Sequence, residues 1–204
     1  MTDTLVRLLT ESRQLGFLGP GPVEAHIEHA LRYRAYRAEA PGHALDLGAG
    51  GGLPGLVLAA RCWPTTRWCF LDSNLRRTEF LQRAVEELDL AGRAEIIKDR
   101  AEELGRSPDH RSGYDLVVVR SFGPPAVTAE CAAPLLAEGG QVVASEPPVR
   151  QGVLRWPAAG LAMVGLAEVS ALPAGESFVV LRRVAPCPNR YPRRVGIPAK
   201  RPLF

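Results

Sequence analysis

The chain has 204 residues, 46% of them hydrophobic and 23% charged, with a formal net charge of +3. That is the composition of one globular domain with short appendages, able to bury a sizeable core, and it excludes collagen-like and charge-dominated disordered chains. No apolar run reaches membrane-spanning length, and the start Met1-Thr2-Asp3 lacks the basic-then-apolar layout of a signal peptide. A cytoplasmic protein with no membrane partner is therefore expected. Cys62, Cys69, Cys131 and Cys187 stand far apart without ligand spacing, which predicts reduced packing residues and no metal site.

Two helices are predicted first, over 5–14 and 23–38. Between them Gly16-Phe17-Leu18-Gly19-Pro20-Gly21-Pro22 must turn, because it combines two prolines with three glycines. From Ala44 onward strands and helices alternate. Ala44, Leu45 and Leu47 form a short apolar strand carrying Asp46, followed by a glycine-rich turn and a helix-compatible run over 53–60. A second strand over 67–71 ends in Asp72. Asn74 then caps a helix with Phe80, Leu81, Ala84, Val85 and Leu88 on one face. Strands follow over 94–98 and 114–119, the latter with the valine run of a buried parallel strand.

A helix over 125–136, stopped by Gly139-Gly140, leads to a fifth strand over 141–144. A helix over 153–164, broken near Pro157, and closing strands over 167–172 and 178–181 complete the pattern. Such alternation gives an α/β fold: a Rossmann-like, mostly parallel seven-stranded sheet with helices on both faces. The expected organisation is an N-terminal helical segment 1–41, a Rossmann-like domain 42–184 and a basic tail 185–204.

The glycine spacing discriminates between cofactors. A dinucleotide turn needs glycine at its first, third and sixth positions, but counting from Gly48 the sixth position is Leu53. Glycines fall instead at Gly48, Gly50 and Gly52, two residues after Asp46. This D-x-G-x-G-x-G pattern resembles motif I of class I S-adenosylmethionine-dependent methyltransferases; a tight connection with no ligand is the competing reading. Ligands of open α/β sheets bind past the carboxyl ends of the strands. There Asp72 is placed to accept both hydroxyls of a ribose, or else to complement a helix dipole. Asp99, or the main chain of Ala101 and Glu102, stands where an adenine edge would be read, although Glu102 and Glu103 also fit solvated helix charge. Arg120, ending a buried valine strand, needs an anion or a structural carboxylate.

The run Asp46 to Gly55, with Gly-Leu-Pro-Gly at 52–55, resembles the small-subunit ribosomal RNA guanine-N7 methyltransferase family, also called glucose-inhibited division protein B. Leu71-Asp72-Ser73 with Arg77 and Phe80-Leu81, Arg100-Ala101-Glu102-Glu103, and Tyr114-Asp115 with Arg120 and Phe122 are similar to its further motifs. So is the ending Tyr191-Pro192-Arg193-Arg194-Val195-Gly196-Ile197-Pro198-Ala199-Lys200. The resemblance covers about Val23 to the carboxy terminus. It implies S-adenosyl-L-methionine as cofactor, with contacts at Gly48, Leu53, Ala101, Glu102 and Arg120, and ribosomal RNA or the small ribosomal subunit as partner. The chain departs from the family pattern on the substrate side. Ala25 and His29-Ala30 flank His26-Ile27 where an arginine and Asp-Ser are usual, residues 16–22 replace an Asn-Leu-Thr motif, and Glu146-Pro147 stands in place of Lys-Gly.

Guanine N7 offers a lone pair and bears no proton, so its methylation needs alignment and no general base. No catalytic residue is assigned for that reason. An oxygen or amine acceptor, on another RNA site or a small molecule, would need a proton acceptor, for which His26 and Asp99 are candidates. A non-catalytic RNA- or ribosome-binding relative is the third reading. After Glu176 no acidic residue remains, while seven cations follow. Arg193, Arg194, Lys200 and Arg201 are the expected grip on RNA phosphates, against the reading of a merely solvated tail.

Overall fold

A computed structural model describes residues 2–37, 39–147, 154–169 and 178–204. The chain divides into two compact units, Met1–Asp99 and Arg100–Phe204. In the first, helices α1 (Thr2–Gln14) and α2 (Val23–Arg32) precede β1 (His43–Leu47), α3 (Gly55–Arg61), β2 (Arg67–Asp72), α4 (Leu75–Glu87) and β3 (Ala94–Lys98). The strands run parallel in the order β3-β2-β1. The predicted helix 23–38 stops early: α2 ends at Arg32 and a 3-10 turn covers Tyr33–Tyr36.

Central β2 is covered on both faces, and its Trp68, Cys69, Phe70 and Leu71 are all buried. Trp63 stacks on Trp68 at 6.1 Å between ring centroids, and Trp68 on Phe70 at 5.8 Å. Helix α4 starts where expected, with Asn74 Oδ1 accepting the Arg77 N–H at 3.2 Å. It buries Phe80, Leu81, Ala84 and Val85, the i and i+4 positions of one face. Below it, Arg93 satisfies three carbonyls, donating to Ala59 O at 2.6 Å, Thr66 O at 3.0 Å and Trp63 O at 3.3 Å.

The second unit holds α5 (Ala101–Leu104), β4 (Tyr114–Val119), α6 (Pro125–Ala132), β5 (Leu136–Ser145), α7 (Ala158–Ala162), β6 (Leu166–Glu168), β7 (Phe178–Arg183) and α8 (Ile197–Lys200). Its strands lie in the order β4-β5-β7-β6, with β4 and β5 parallel and β7 antiparallel to both neighbours. Seven strands are thus present among the described residues, mostly parallel, as the alternation predicts.

Gly139-Gly140 does not stop a helix. Helix α6 ends at Ala132, a 3-10 turn over Ala133–Leu135 contains Pro134, which lacks the N–H to continue a helix, and β5 already begins at Leu136. The glycines form a bulge inside β5: Tyr114 pairs with Leu136, but Leu116 with Gln141. A Cβ on Gly140 would lie 2.9 Å from two carbonyl oxygens, so the close approach requires glycine. Helix α7 starts only after Pro157, β6 is shorter than expected, and the predicted ends at 153 and 170–172 lie outside the described residues.

Asn74→Ala removes the α4 cap and is expected to cost about 1 kcal/mol in urea unfolding, with the dependence on denaturant unchanged.

Candidate active site

The turn between β1 and α3 is built around a buried carboxyl group. Asp46 is 0% exposed, and its Oδ2 accepts the Gly55 N–H at 2.7 Å, fixing the first residue of α3 to the strand before the turn. Three glycines of the turn are left-handed, Gly48 at φ +73°, Gly50 at +54° and Gly52 at +94°. Ala49 N–H donates to Leu71 O at 2.8 Å, which ties the turn to the end of β2. From α1, buried Ser12 donates its hydroxyl to Gly51 O at 3.0 Å.

These glycines differ in what surrounds them. A Cβ would lie 2.4 Å from Ser12 Oγ at Gly51, 2.4 Å from Leu56 Cδ1 at Gly52 and 2.5 Å from Asp46 Oδ2 at Gly55. Those three make room for the chain itself. At Gly50 a Cβ would meet only Gly48 O at 3.7 Å and Asp72 Oδ2 at 4.0 Å. Open space therefore faces the turn at Gly50, bounded by a carboxylate. Leu53 is buried beneath the turn.

Asp72 holds the other side of that opening. Its Oδ2 accepts the Gly50 N–H at 2.9 Å and its Oδ1 the Asn74 N–H at 2.8 Å, while Arg77 Nη1 lies 3.6 Å from Oδ2. Each carboxylate oxygen accepts one backbone N–H and keeps a second lone pair. The glycine turn and Asp72, singled out separately in the sequence, are thus brought together. Asp99, at the end of this unit, is exposed. His26 is buried on α2, its Nε2 3.2 Å from Gly19 O, engaged with the turn before its helix.

In the second unit Ala101 and Glu102 open α5, both buried, whereas Glu103 is exposed. Glu102 is not solvated helix charge: Oε1 accepts the Gly196 N–H at 2.9 Å, and Oε2 lies 3.5 Å from Arg100 Nε. Arg120 follows β4 and is half-buried. Glu146, at the end of β5, is paired with Arg155.

The basic tail is not one solvated stretch. Arg193, expected on RNA phosphate, is turned inward onto Glu130, a carboxylate with 0% exposure on α6. Its Nε and backbone N–H each donate to Oε1 at 2.8 Å, and Nη2 to Oε2 at 2.6 Å. Burial left Glu130 in need of a cation, and removing one partner of such a pair costs roughly 3–5 kcal/mol. Those hydrogen bonds hold the Arg193 guanidinium more firmly charged than usual. Arg183 is likewise engaged, donating to Leu136 O and to Ser112 Oγ. Arg194, Lys200 and Arg201 are exposed. Beside Glu102 and Glu130, burial pushes the Cys131 thiol far up from its ordinary range.

Ser12, Arg111 and Glu130 were not singled out in the sequence. Only Glu130 carried a signal, as the one acid in the small, apolar run 125–133. Among the described residues no helix is long and apolar enough to cross a membrane, and no group of three or more His, Cys, Asp or Glu is placed to hold a metal ion.

Residues 22–146 match the family model of GidB, described as rRNA small subunit methyltransferase G. The ribosomal RNA small subunit methyltransferase G of Rubrobacter xylanophilus is 37% identical over 174 residues, covering 80% of this chain and 66% of that protein. This chain thus spans about two thirds of that relative's length. The protein of the same name from Roseiflexus castenholzii is 35% identical over 189 residues, covering 89% of this chain and 80% of its own. Among solved structures, a methyltransferase from Geobacter sulfurreducens has a TM-score of 0.63 at 16% identity, covering 89% of this chain and 90% of that one. Cofactor-bound Rv0187 from MTB has a TM-score of 0.60 at 17% identity, covering 90% of each chain. At that identity the likeness shows the fold alone: Rossmann-like α/β.

Gly55→Ala drives a methyl group into Asp46 and the Phe70 ring, whose Cε1 would lie 2.6 Å away. A loss of about 1–3 kcal/mol or more is expected in urea unfolding.

Proposed function

Because this chain belongs to the rRNA small subunit methyltransferase G family, we infer that it is an S-adenosylmethionine-dependent methyltransferase of small-subunit ribosomal RNA, with N7 of a guanine as acceptor. The observation that carries the cofactor reading is the opening at Gly50, where bare backbone and the Asp72 carboxylate border the same space. A nucleoside needs such a pairing: a wall without side chains for close approach, and an acceptor for ribose hydroxyls. The residues present fit the cofactor.

When bound, S-adenosylmethionine supplies a methyl group activated on a sulfonium. The chain's part is binding and alignment. Gly48 and Gly50 let the main chain approach, and Asp72 uses its remaining lone pairs on the ribose. Asp46, Gly52 and Leu53 act from beneath, holding the turn in shape. The main chain of Ala101 and Glu102, with Asp99 beside them, reads the adenine edge, and Arg120 orders the cofactor or the nearby target. Since N7 carries no proton, no residue has to remove one. His26, engaged with the Gly19 carbonyl, and Glu146, paired with Arg155, both have structural partners. Phosphate contacts fall to the outward cations Arg194, Lys200 and Arg201, without Arg193.

S-adenosylhomocysteine at a hundred times its Kd is expected to stabilise the protein by about 2.7 kcal/mol in thermal unfolding, and NAD to have no effect. Gly50→Val, which puts a β-branched residue at φ +54° and fills the opening, removes that shift. No shift in the wild-type protein overturns the cofactor reading. The triple variant Arg194→Glu, Lys200→Glu, Arg201→Glu is expected to weaken binding of a small-subunit rRNA fragment and to flatten its salt dependence, leaving S-adenosylhomocysteine binding intact. Mapping N7-methylguanine in ribosomal RNA from cells with and without the protein tests the acceptor; identical maps refute it.

A further inference from the structure

The C-terminal segment is fastened to the stretch that follows β3 by three separate contacts. The Gly196 N–H donates to Glu102 Oε1 at 2.9 Å, from a glycine at φ +78°. Pro192 lies so close to Gly105 that a Cβ there would sit 2.9 Å from the proline Cγ. Arg111 Nη1 donates to both Gly105 O and Tyr191 O at 2.9 Å, and Nη2 to Cys187 O at 2.9 Å, so one guanidinium clamps the two stretches together. The segment is itself anchored by Arg193 on buried Glu130.

Helix α5 is only four residues long. One turn cannot hold its own conformation, because nucleation fixes several dihedrals for a single hydrogen bond. Its position must come from tertiary contacts, and the C-terminal segment supplies them at Glu102 and Gly105.

We propose that residues 187–196 are an intramolecular brace that sets the main chain of Ala101 and Glu102, and through it the affinity for S-adenosylmethionine. Glu102 is the positioning residue: its side chain acts on the Gly196 amide and leaves its backbone to the nucleoside. This rests on the reading above that the 101–102 main chain borders the adenine edge. The segment then has divided labour, with inward residues serving the cofactor and outward cations serving RNA.

Calorimetric titration of S-adenosylhomocysteine into the wild-type protein, Glu102→Gln, Glu102→Asp and Glu102→Ala tests the brace. Gln keeps an acceptor at the same reach, whereas Asp keeps the charge but is one methylene short. The Gln variant is expected to bind within about twofold of wild type, and the Asp and Ala variants about tenfold more weakly, with rRNA-fragment affinity unchanged in all. Wild-type affinity in the Asp and Ala variants overturns the proposal, and so does a Gln variant as weak as Ala. If Ala does not fold, hydrogen exchange of Glu102→Asp decides. Faster exchange confined to amides 101–105 supports the brace, and exchange raised evenly across the unit refutes it. A wild-type protein that fails to bind S-adenosylhomocysteine refutes the methyltransferase reading itself; tight wild-type binding with an indifferent Asp variant removes only the brace.

Discussion

Asp46 is fully buried, and the hydrogen bond it accepts from Gly55 spans a turn whose glycines lend it no side chains to hold its shape. Three left-handed glycines leave the backbone free to adopt many conformations, and the free chain would sample them all. The hydrogen bond to Gly55 restricts that freedom by joining the strand before the turn to the helix after it. Hydrogen bonds from Ser12 to Gly51 O, from Ala49 to Leu71 O and from Gly50 to Asp72 add to it, and steric contacts complete the constraint. Gly51 is pressed against Ser12 and Gly52 against Leu56, so neither glycine has room to move inward. The entropy of ordering the turn is therefore met during folding and not during ligand capture, which is the physical content of preorganisation.

The second unit solves a related problem with arginine. Arg111 and Arg193 each serve several acceptors that no lysine ammonium could reach together, because the planar guanidinium presents its donors in a fixed fork. This changes how the charge of the chain is understood. A run of cations after the last acidic residue suggests a free electropositive tail, but two of its arginines are consumed internally, and what remains for a polyanion is a sparser set of outward groups.

Local chemistry accounts for what the sequence revealed. The glycine turn, the Asn74 cap and the buried valine strand each depend on residues within a few positions of one another, and each was legible. What was hidden depends on partners far along the chain. Whether Gly139-Gly140 stops a helix or bulges a strand is decided by Tyr114 and Leu116 on the neighbouring strand. Arg193 faces inward because of Glu130, 63 positions away. Ser12 is an unremarked hydroxyl in an amphipathic helix until Gly51 is folded onto it. Residues 16–22 are likewise fixed from a distance, with the Phe17 ring edge-on to Phe80 at 6.0 Å between centroids.

The aromatic ladder of the first unit has an optical consequence. Trp63 and Trp68 are stacked at a 21° interplanar angle, close enough for their excited states to couple, while the third indole, Trp156, belongs to the other unit. Tryptophan emission and near-ultraviolet ellipticity consequently weight the glycine-turn half of the chain. Trp156, with Tyr114 and Tyr191, reports on the C-terminal half, and a melt followed by one signal need not describe both halves.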